Sequence, residues 1–331
     1  MRALVTGATG FVGAAVTRAL LADGWDVRAL VREGSDRSNL NALPVELAIG
    51  DLTDPRSLER AVADCAALFH VAADYRLGAP DPSQLYRANV EGTRNILMAA
   101  RRARIERVVY TSSVATIGIP GDGTPGDERT PVALEAMIGH YKRSKFLAEL
   151  EAVAAAQKGQ QVIILNPTTP IGPNDAKPTP TGRIFVDFLN GRFPAYIDTG
   201  LNLVDVAEVA RTHADALTRG RPGRRYILGG ENLTLKRILE KMSAITGIAA
   251  PTARIPFPVA FAYAFLDEWI TGRLRGREPR ATLDQVRMGR KKMFTSSARA
   301  QEELGFRAAP VEPAMRAAIE WYRAHGYAPR P

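Results

Sequence analysis

The sequence predicts an α/β protein in which a doubly wound parallel sheet is followed by a smaller, helix-rich C-terminal region. Short apolar runs alternate with stretches of helical spacing over the first half of the 331 residues. A glycine-rich turn follows the first run, and prolines and helices dominate from about Pro167 onwards. Strands separated by helices imply a parallel sheet that is covered on both faces.

The elements of the first half alternate in order. Six apolar runs are expected to be strands: Arg2–Thr6, Asp26–Arg32, Val45–Ile49, Ala67–Val71, Arg107–Ser112 and Gln161–Asn166. Helical spacing predicts helices between them: Phe11–Ala22, Pro55–Ala63, Pro82–Arg104 and Val132–Gln157.

The second half is expected to be mainly helical. Prolines between residues 167 and 180 predict long loops. Helices are expected after them at Val206–Thr218, Leu235–Ile245, Val259–Ile270, Ser297–Leu304 and Glu312–His325.

Composition excludes several classes of protein. A hydrophobic fraction of 46% and a charged fraction of 24% are typical of globular chains. The single cysteine, Cys65, excludes an internal disulfide framework and a cysteine-based zinc site, and it favours the cytoplasm. The four histidines show no metal-ligand spacing, so no metal is expected. The net charge of +9 is dispersed without a nucleic-acid motif, so we expect acidic small-molecule ligands and no nucleic acid.

The longest apolar stretch, Pro256–Ile270, is too short to span a membrane. Because Arg273, Arg275 and Arg277 follow it, it could make peripheral contact with a membrane surface. We favour the alternative that it covers a substrate pocket or a face of the core.

Three glycines lie between the first strand and the first helix with the spacing G-x-x-G-x-x-G. Gly7 permits a tight turn, Gly10 lets the backbone approach a pyrophosphate, and Gly13 lets helix and strand pack closely. The helix N-terminus then faces the phosphates, which predicts a Rossmann-type dinucleotide site. The contacts expected from this segment are Gly7, Thr9, Gly10, Phe11, Val12 and Gly13.

The end of the second strand bears on the choice of cofactor. A carboxylate about 20 residues past the glycines would bind the ribose 2′-OH of NAD, but this place is held by Arg32. A cation suits the 2′-phosphate of NADP, with Ser35 and Arg37 as helpers. In the alternative, Arg32 is solvated and Glu33 or Asp36 holds NAD. We favour NADP.

Asp51 and Leu52 follow the third strand. Asp51 could accept a hydrogen bond from the adenine amine while Leu52 packs on the ring. Alternatively, Asp51 with Thr53 caps the helix Pro55–Ala63. Both alternatives stay open.

Tyr141 and Lys145 are spaced i, i+4 and therefore share a helix face. A tyrosine, whose ordinary pKa is about 10, becomes a base near neutral pH when an ammonium stabilises its phenolate. Ser113 ends a strand at the sheet edge where parallel-sheet active sites lie, so its hydroxyl could orient a substrate oxygen. A solvated helix face is the alternative.

Together these segments resemble the extended short-chain dehydrogenase/reductase superfamily over nearly the whole chain. The matching positions are Thr6–Gly13, His70–Ala73, Asn89–Thr93, Ser113, Tyr141-x-x-x-Lys145 and Leu203–Val206. Within the superfamily the chain is most similar to the dihydroflavonol-reductase-like and hopanoid-associated sugar epimerase group, on Glu302–Phe306 and Trp321-Tyr322 as well.

The resemblance implies a role for each matching residue. Tyr141 would be the general acid/base, Ser113 would hydrogen-bond the reacting oxygen, and Lys145 would bind the nicotinamide ribose and lower the pKa of Tyr141. Ala72 and Ala73 would line the cofactor. The loop at the nicotinamide end would carry Pro167, Thr168 and Thr169.

The substrate side is less defined. Tyr75, Arg76 and Arg183 are expected to face the substrate, with a lid or surface role as the alternative. Asn89 is expected to brace the central sheet. We expect a dinucleotide-binding domain over residues 1–169 with a return near 203–230, and a substrate-binding region over 170–202 and 231–331. A homodimer is expected through the helices Pro82–Arg104 and Val132–Gln157.

From these residues we predict an NAD(P)-dependent oxidoreductase that acts at a secondary alcohol or ketone carbon of a sugar or similar small molecule. One alternative is a nucleotide-sugar epimerase that holds its cofactor tightly, and another is a non-catalytic dinucleotide sensor. The Asp-Glu pair of 4,6-dehydratases is replaced by Val114-Ala115, which argues against that reaction.

Overall fold

A parallel sheet forms the centre of the computed structural model, which describes residues 1–75, 81–274 and 282–329. The strands in the described chain are β1 (Arg2–Thr6), β2 (Asp26–Val31), β3 (Val45–Ile49), β4 (Ala67–His70), β5 (Arg107–Thr111), β6 (Val162–Pro167), β7 (Thr169–Ile171), β8 (Gly200–Asp205), β9 (Arg225–Leu228) and β10 (Glu231–Thr234). The main sheet has seven parallel strands in the order β3-β2-β1-β4-β5-β6-β9, and a small second sheet has the order β10-β8-β7. The predicted α/β class with a doubly wound sheet is confirmed.

Helices follow most strands. In the described chain they are α1 (Phe11–Ala22), α2 (Pro55–Val62), α3 (Pro82–Tyr86), α4 (Gly92–Arg102), α5 (Gly139–Gln157), α6 (Pro180–Leu189), α7 (Val206–Arg219), α8 (Leu235–Thr246), α9 (Phe257–Asp267), α10 (Leu283–Gly289), α11 (Ala298–Leu304) and α12 (Glu312–Ala324). Two π-helical segments, Arg87–Glu91 and Glu268–Leu274, extend α3 and α9.

Several elements differ from the predicted ones, α5, α6 and the helix Pro82–Arg104 among them. α5 begins at Gly139 and not at Val132, because the φ of +78° at Gly139 is not helical and separates the helix from the preceding loop. α6 was predicted as loop, but Pro180 stands at its first turn, where a missing N–H costs nothing, and Thr179 caps it. The predicted helix Pro82–Arg104 is interrupted by the π-helical segment.

The central strands of the main sheet are buried on both faces, as their nearly continuous apolar sequences require, whereas the edge strand β3 exposes Leu47 and Ile49. Ala3 and Val5 of β1 belong to a core cluster shared with α1, α7 and α11, whereas Leu4 belongs to a cluster on the opposite face with α2, α4 and α5. A third cluster joins α6, α8 and α12 around Phe185 and Met315. The carboxyl ends of β1, β4 and β5 are adjacent, and this edge positions the candidate site.

α9 is more exposed than we expected from the sequence. It was expected to cover a pocket or a face of the core, but Ala264 is its one buried residue, and its large side chains are exposed. Arg275 and Arg277, which follow it, lie outside the described residues. Among the described helices, none combines the length and the apolar character needed to cross a bilayer.

Two buried histidines make stability depend on pH. His213 Nε2 lies 2.8 Å from the Thr111 hydroxyl and its Nδ1 lies 2.7 Å from the Val209 carbonyl oxygen, while burial lowers the pKa of His213 to about 4. Burial likewise lowers the pKa of His70 to about 3. Both are neutral in the folded chain, whereas unfolded histidine takes a proton below about pH 6.5. Stability should therefore be lost as the pH falls from about 6.5 towards 4.

We expect His213→Gln, which keeps a donor and an acceptor but does not titrate, to be less sensitive to acid. Between pH 7 and pH 5 it should lose about 2 kcal/mol less unfolding free energy than the wild type. Urea titrations at the two pH values measure this difference. Equal losses in both proteins would show that His213 is not the titrating group.

Candidate active site

The glycine turn is held by contacts that only glycine permits. Gly7 has a φ of +72°, and its carbonyl accepts a hydrogen bond from the Gly10 amide at 2.9 Å. A Cβ on Gly7 would lie 2.7 Å from the Ala72 Cα, and a Cβ on Gly13 would lie 2.0 Å from the Gly7 oxygen. The turn therefore brings β1, α1 and the residue after β4 into direct contact.

The N-terminus of α1 suits a pyrophosphate. Gly10 is its N-cap residue, no side chain caps the helix, and its first turn, which begins with Phe11 and Val12, carries no acidic residue. By contrast, Asp205 and Thr234 cap α7 and α8. The first amides of α1 are thus left for an anion, and the turn fits the dinucleotide that the sequence predicts.

Arg32 lies just past the end of β2 and is exposed. The Ser35 amide donates to the Arg32 carbonyl at 3.2 Å, so both predicted residues belong to one turn. Asp36, which could have held NAD, accepts a hydrogen bond from the Ser38 amide at 2.9 Å. Arg32 and Glu33 are both exposed at this turn.

Asp51 does not cap α2, because Asp54 takes that role by accepting from the Arg56 amide. Asp51 Oδ1 instead accepts from the Thr53 amide at 2.8 Å and the Thr53 hydroxyl at 2.6 Å. Partial burial alone would raise the pKa of Asp51, but Thr53 and the charge of Arg32 hold it below its usual value. Leu52 packs on the start of α4, since a Cβ on Gly92 would lie 2.8 Å from its Cβ.

The segment after β4 is tied to the glycine turn and to α5. The Ala72 amide donates to the Thr6 hydroxyl at 3.1 Å, which places Ala72, followed by Ala73, beside Gly7. Asn89 Oδ1 accepts from the Asp74 amide at 2.7 Å, and its Nδ2 donates to the Ser144 hydroxyl at 2.9 Å. Asn89 therefore braces this segment against α5 and not the central sheet.

Ser113, Tyr141 and Lys145 converge at the carboxyl end of β5. The Ser113 hydroxyl lies close enough to the half-buried phenol of Tyr141 to hold down the pKa of that phenol, and its oxygen accepts from the Ala115 amide at 3.1 Å. The buried Lys145 Nζ donates to the Thr111 carbonyl at 3.0 Å. The three side chains thus lie around one strand end, next to the strands that carry the glycine turn and Ala72.

The charges of this group depend on burial. Burial raises the pKa of Tyr141 above its usual value, and the hydrogen bond from Ser113 opposes this shift. Burial lowers the pKa of Lys145 to about 8, while Glu149 raises it. In this structure, then, Tyr141 keeps its proton at neutral pH and Lys145 is mostly charged.

Sequence reasoning missed the buried Glu149, which follows Lys145 at i+4. Its Oε2 accepts from the Ser112 hydroxyl at 2.6 Å and from Asn166 Nδ2 at 2.7 Å, and it lies 2.8 Å from the Thr116 hydroxyl. Asn166 Nδ2 and the Thr116 hydroxyl also reach the Ser113 carbonyl oxygen, at 3.1 and 2.8 Å. The spacing Tyr141, Lys145, Glu149 on one helix face was the available signal.

The predicted nicotinamide-end loop joins the two sheets. Pro167 ends β6 and Thr169 begins β7. Thr168 is buried between them, and its hydroxyl donates to Asn202 Oδ1 at 2.9 Å. Its side chain is therefore used to hold the two sheets together.

Tyr75 and Arg183 lie near each other. Burial raises the pKa of Tyr75, Asp175 raises it further, and Arg183 lowers it. The Tyr75 phenol also contributes to the raised pKa of Tyr141. Asp175, buried and bound by the Tyr322 hydroxyl at 2.8 Å, was not predicted, because its proline-rich loop gave no signal. Arg76 lies outside the described residues.

Among the described residues, no group of three histidine, cysteine or acidic side chains could hold a metal ion.

Comparison with known proteins agrees with this geometry. The family model described as NAD dependent epimerase/dehydratase family matches residues 3–229. A Synechocystis sp. protein assigned by name to dihydroflavonol 4-reductase is 48% identical over 98% of this chain and 95% of its own. Sterol demethylase protein B of Methylococcus capsulatus is 35% identical over 98% and 99%. The structure of PA4631, a nucleoside-diphosphate-sugar epimerase from Pseudomonas aeruginosa, is 28% identical, covers 99% of both chains and has a TM-score of 0.82.

Proposed function

The chain belongs to the NAD-dependent epimerase/dehydratase family and is an enzyme, and on that premise we propose that it reduces a ketone or oxidises the corresponding secondary alcohol with NADP(H). Tyr141 would act as the general acid/base. The observation that carries the proposal is the convergence of Ser113, Tyr141 and Lys145 at the strand end beside the glycine turn.

The proton chemistry follows from these side chains. A bound nicotinamide would supply or accept the hydride. Because burial raises the pKa of Tyr141, its phenol holds a proton at neutral pH and can give it to the oxygen of a ketone. Ser113 would hold that oxygen by hydrogen bonding. Lys145 would hold the ribose and favour the phenolate left on Tyr141.

The substrate proposed is a ketone on an apolar skeleton. The names of two relatives refer to a dihydroflavonol and a sterol, which are both built on fused rings with a large hydrocarbon part. Tyr75, which follows Ala72 and Ala73 and is partly exposed, would offer an aromatic side chain to such a ring. In the segment 197–205, where nucleotide-sugar epimerases carry basic residues, this chain has no Arg, Lys or His.

NADPH oxidation by the purified enzyme with a panel of cyclic and long-chain ketones tests this function. Net consumption of added NADPH is expected. The likeness to PA4631 favours an epimerase as the second candidate. An epimerase would instead be purified with bound cofactor and would interconvert a sugar with no net consumption.

The preference for NADP gives a separate prediction. Arg32→Asp should weaken NADPH binding by at least about tenfold and strengthen NADH binding, because a carboxylate repels the 2′-phosphate and accepts from the 2′-OH. Titration of both cofactors by fluorescence measures the change. Arg37→Asp in the same loop is the matched control and should have a smaller effect. The same preference in wild type and Arg32→Asp would remove Arg32 from cofactor selection.

A further inference from the structure

α9 and the π-helical segment after it present an apolar surface that the described core does not cover. Seven large side chains of this segment are each 37–57% exposed: Val259, Phe261, Tyr263, Phe265, Leu266, Trp269 and Ile270. None of them belongs to a core cluster of the described chain. We call these seven residues the α9 surface. A contiguous exposed apolar surface of this kind marks an interaction site.

Basic side chains border the α9 surface. The Arg287 guanidinium carbon lies 5.8 Å from the centroid of the Phe261 ring, and Arg290, Lys291 and Lys292 follow as exposed residues. In the sequence, residues 273–292 hold eight basic and two acidic residues, which gives this stretch a net charge of +6. Within the described residues, the four basic side chains in and just after α10 therefore lie in the segment that packs next to α9.

Acidic groups offset only part of this charge. Asp284 pairs with Arg287 at 3.4 Å, and Asp198 lies 3.7 Å from Lys292. Glu268 is used within the protein, where its Oε1 accepts from the Leu283 amide at 3.1 Å. Asp267 accepts from the Thr271 hydroxyl at 2.7 Å. Within the described ranges, neither Arg290 nor Lys291 forms an ion pair, so both are available to an outside anion.

We propose that the α9 surface docks on a lipid bilayer that carries anionic headgroups, with α9 lying in the plane of the interface. The apolar side chains enter the boundary between headgroups and acyl chains, and the basic residues after α10 meet the anionic headgroups. The basic residues beside the α9 surface favour an anionic bilayer over a second copy of the chain. In a two-fold pair through the same surface, each copy would bring its basic residues to the same interface, and like charges would repel.

The docking surface adjoins the catalytic helix. A Cβ on Gly139 would lie 3.1 Å from the Asp284 carboxylate of α10, and Gly139 stands two residues before Tyr141. Lys142, on the same helix, donates to the sulfur of Met293 at 3.8 Å. α10, which packs on α9, therefore connects the α9 surface to the helix of Tyr141. Delivery of an apolar ketone from the bilayer to Tyr141 would rest on the proposed function, whereas docking does not.

Cosedimentation of the full chain with lipid vesicles tests the proposal. We expect binding to vesicles of phosphatidylcholine with phosphatidylglycerol, weaker binding at high salt, and little binding to phosphatidylcholine alone. Trp269 emission should shift to the blue on binding. The double variant Phe265→Ser/Leu266→Ser should bind at least about tenfold more weakly, while its NADPH-dependent turnover of a water-soluble ketone stays unchanged.

A matched control removes two exposed apolar side chains elsewhere. Leu47→Ser/Ile49→Ser on β3 should leave vesicle binding unchanged. Absence of wild-type binding, or equal binding by the Phe265→Ser/Leu266→Ser variant, would overturn the proposal. So would a lipid-free dimer that this variant converts to a monomer in sedimentation equilibrium, since the surface would then belong to a second copy. The vesicle assay measures binding and the NADPH assay measures turnover. A protein that fails to bind vesicles can therefore be distinguished from one that lacks the proposed activity.

Discussion

Tyr141→Phe is expected to lower NADPH-dependent turnover by about 10²- to 10⁴-fold and to leave NADPH affinity nearly unchanged. The substitution removes the phenolic oxygen that Ser113 contacts and leaves the ring that fills the half-buried site. The proton donor is therefore lost without disturbing α5 or the glycine turn. Steady-state kinetics give kcat, and fluorescence titration gives the NADPH dissociation constant. Unchanged turnover would remove Tyr141 from the chemistry.

Two controls sharpen this result. Tyr263→Phe makes the same chemical change on the exposed face of α9 and should leave kcat nearly unchanged. The pH profile of the wild type is the second control. Because the phenol must be protonated to serve a ketone, reduction should fall as the pH rises through the pKa of Tyr141, and alcohol oxidation should rise over the same range. Parallel profiles in both directions would contradict this assignment.

The first half of the fold could be predicted because its signals are local. β1, the glycines and α1 are adjacent in sequence, and the contact of Gly13 with Gly7 spans six residues. β9 was not predicted as a strand of the main sheet, because it pairs with β6 more than fifty residues earlier in the chain. Its position depends on the tertiary arrangement and not on its own pattern.

The same limit applies to the candidate site. The i, i+4 spacing of Tyr141 and Lys145 can be read from the sequence, but a glutamate at the next turn looks like an ordinary solvated position. Only the packing of α5 on the sheet brings Glu149 to Ser112 and Asn166. α9 shows a different limit. Its apolar sequence predicts burial, but its large side chains are mostly exposed, and the sequence of the helix alone does not indicate this.

Glu149→Ala is expected to lower the free energy of unfolding by about 3–5 kcal/mol. Glu149 is 4% exposed, and its carboxylate also lies 3.3 Å from Arg225 Nη1. Its removal leaves the hydroxyl of Ser112 buried without its acceptor and takes one of three partners from Asn166 Nδ2. Urea unfolding at neutral pH measures the loss. The matched control is Glu151→Ala on the same helix, whose exposed pair with Arg94 should contribute less than about 1 kcal/mol.

The carboxylate of Glu149 should also act on the chemistry as a positioning residue, and Glu149→Gln separates this role from stability. The amide keeps an acceptor for Ser112 but loses the charge that raises the pKa of Lys145. The pKa of Lys145 should therefore fall below about 8. The partial decline in turnover that follows the loss of the Lys145 charge, which comes at lower pH than the decline set by Tyr141, should move down with it. Glu151→Gln should leave the profile in place. If Glu149 had a purely structural role, Glu149→Gln would lower stability and leave the pH profile of turnover unchanged. Only the negative charge of Glu149 acts on the pKa of Lys145, and through Lys145 on the proton that Tyr141 transfers.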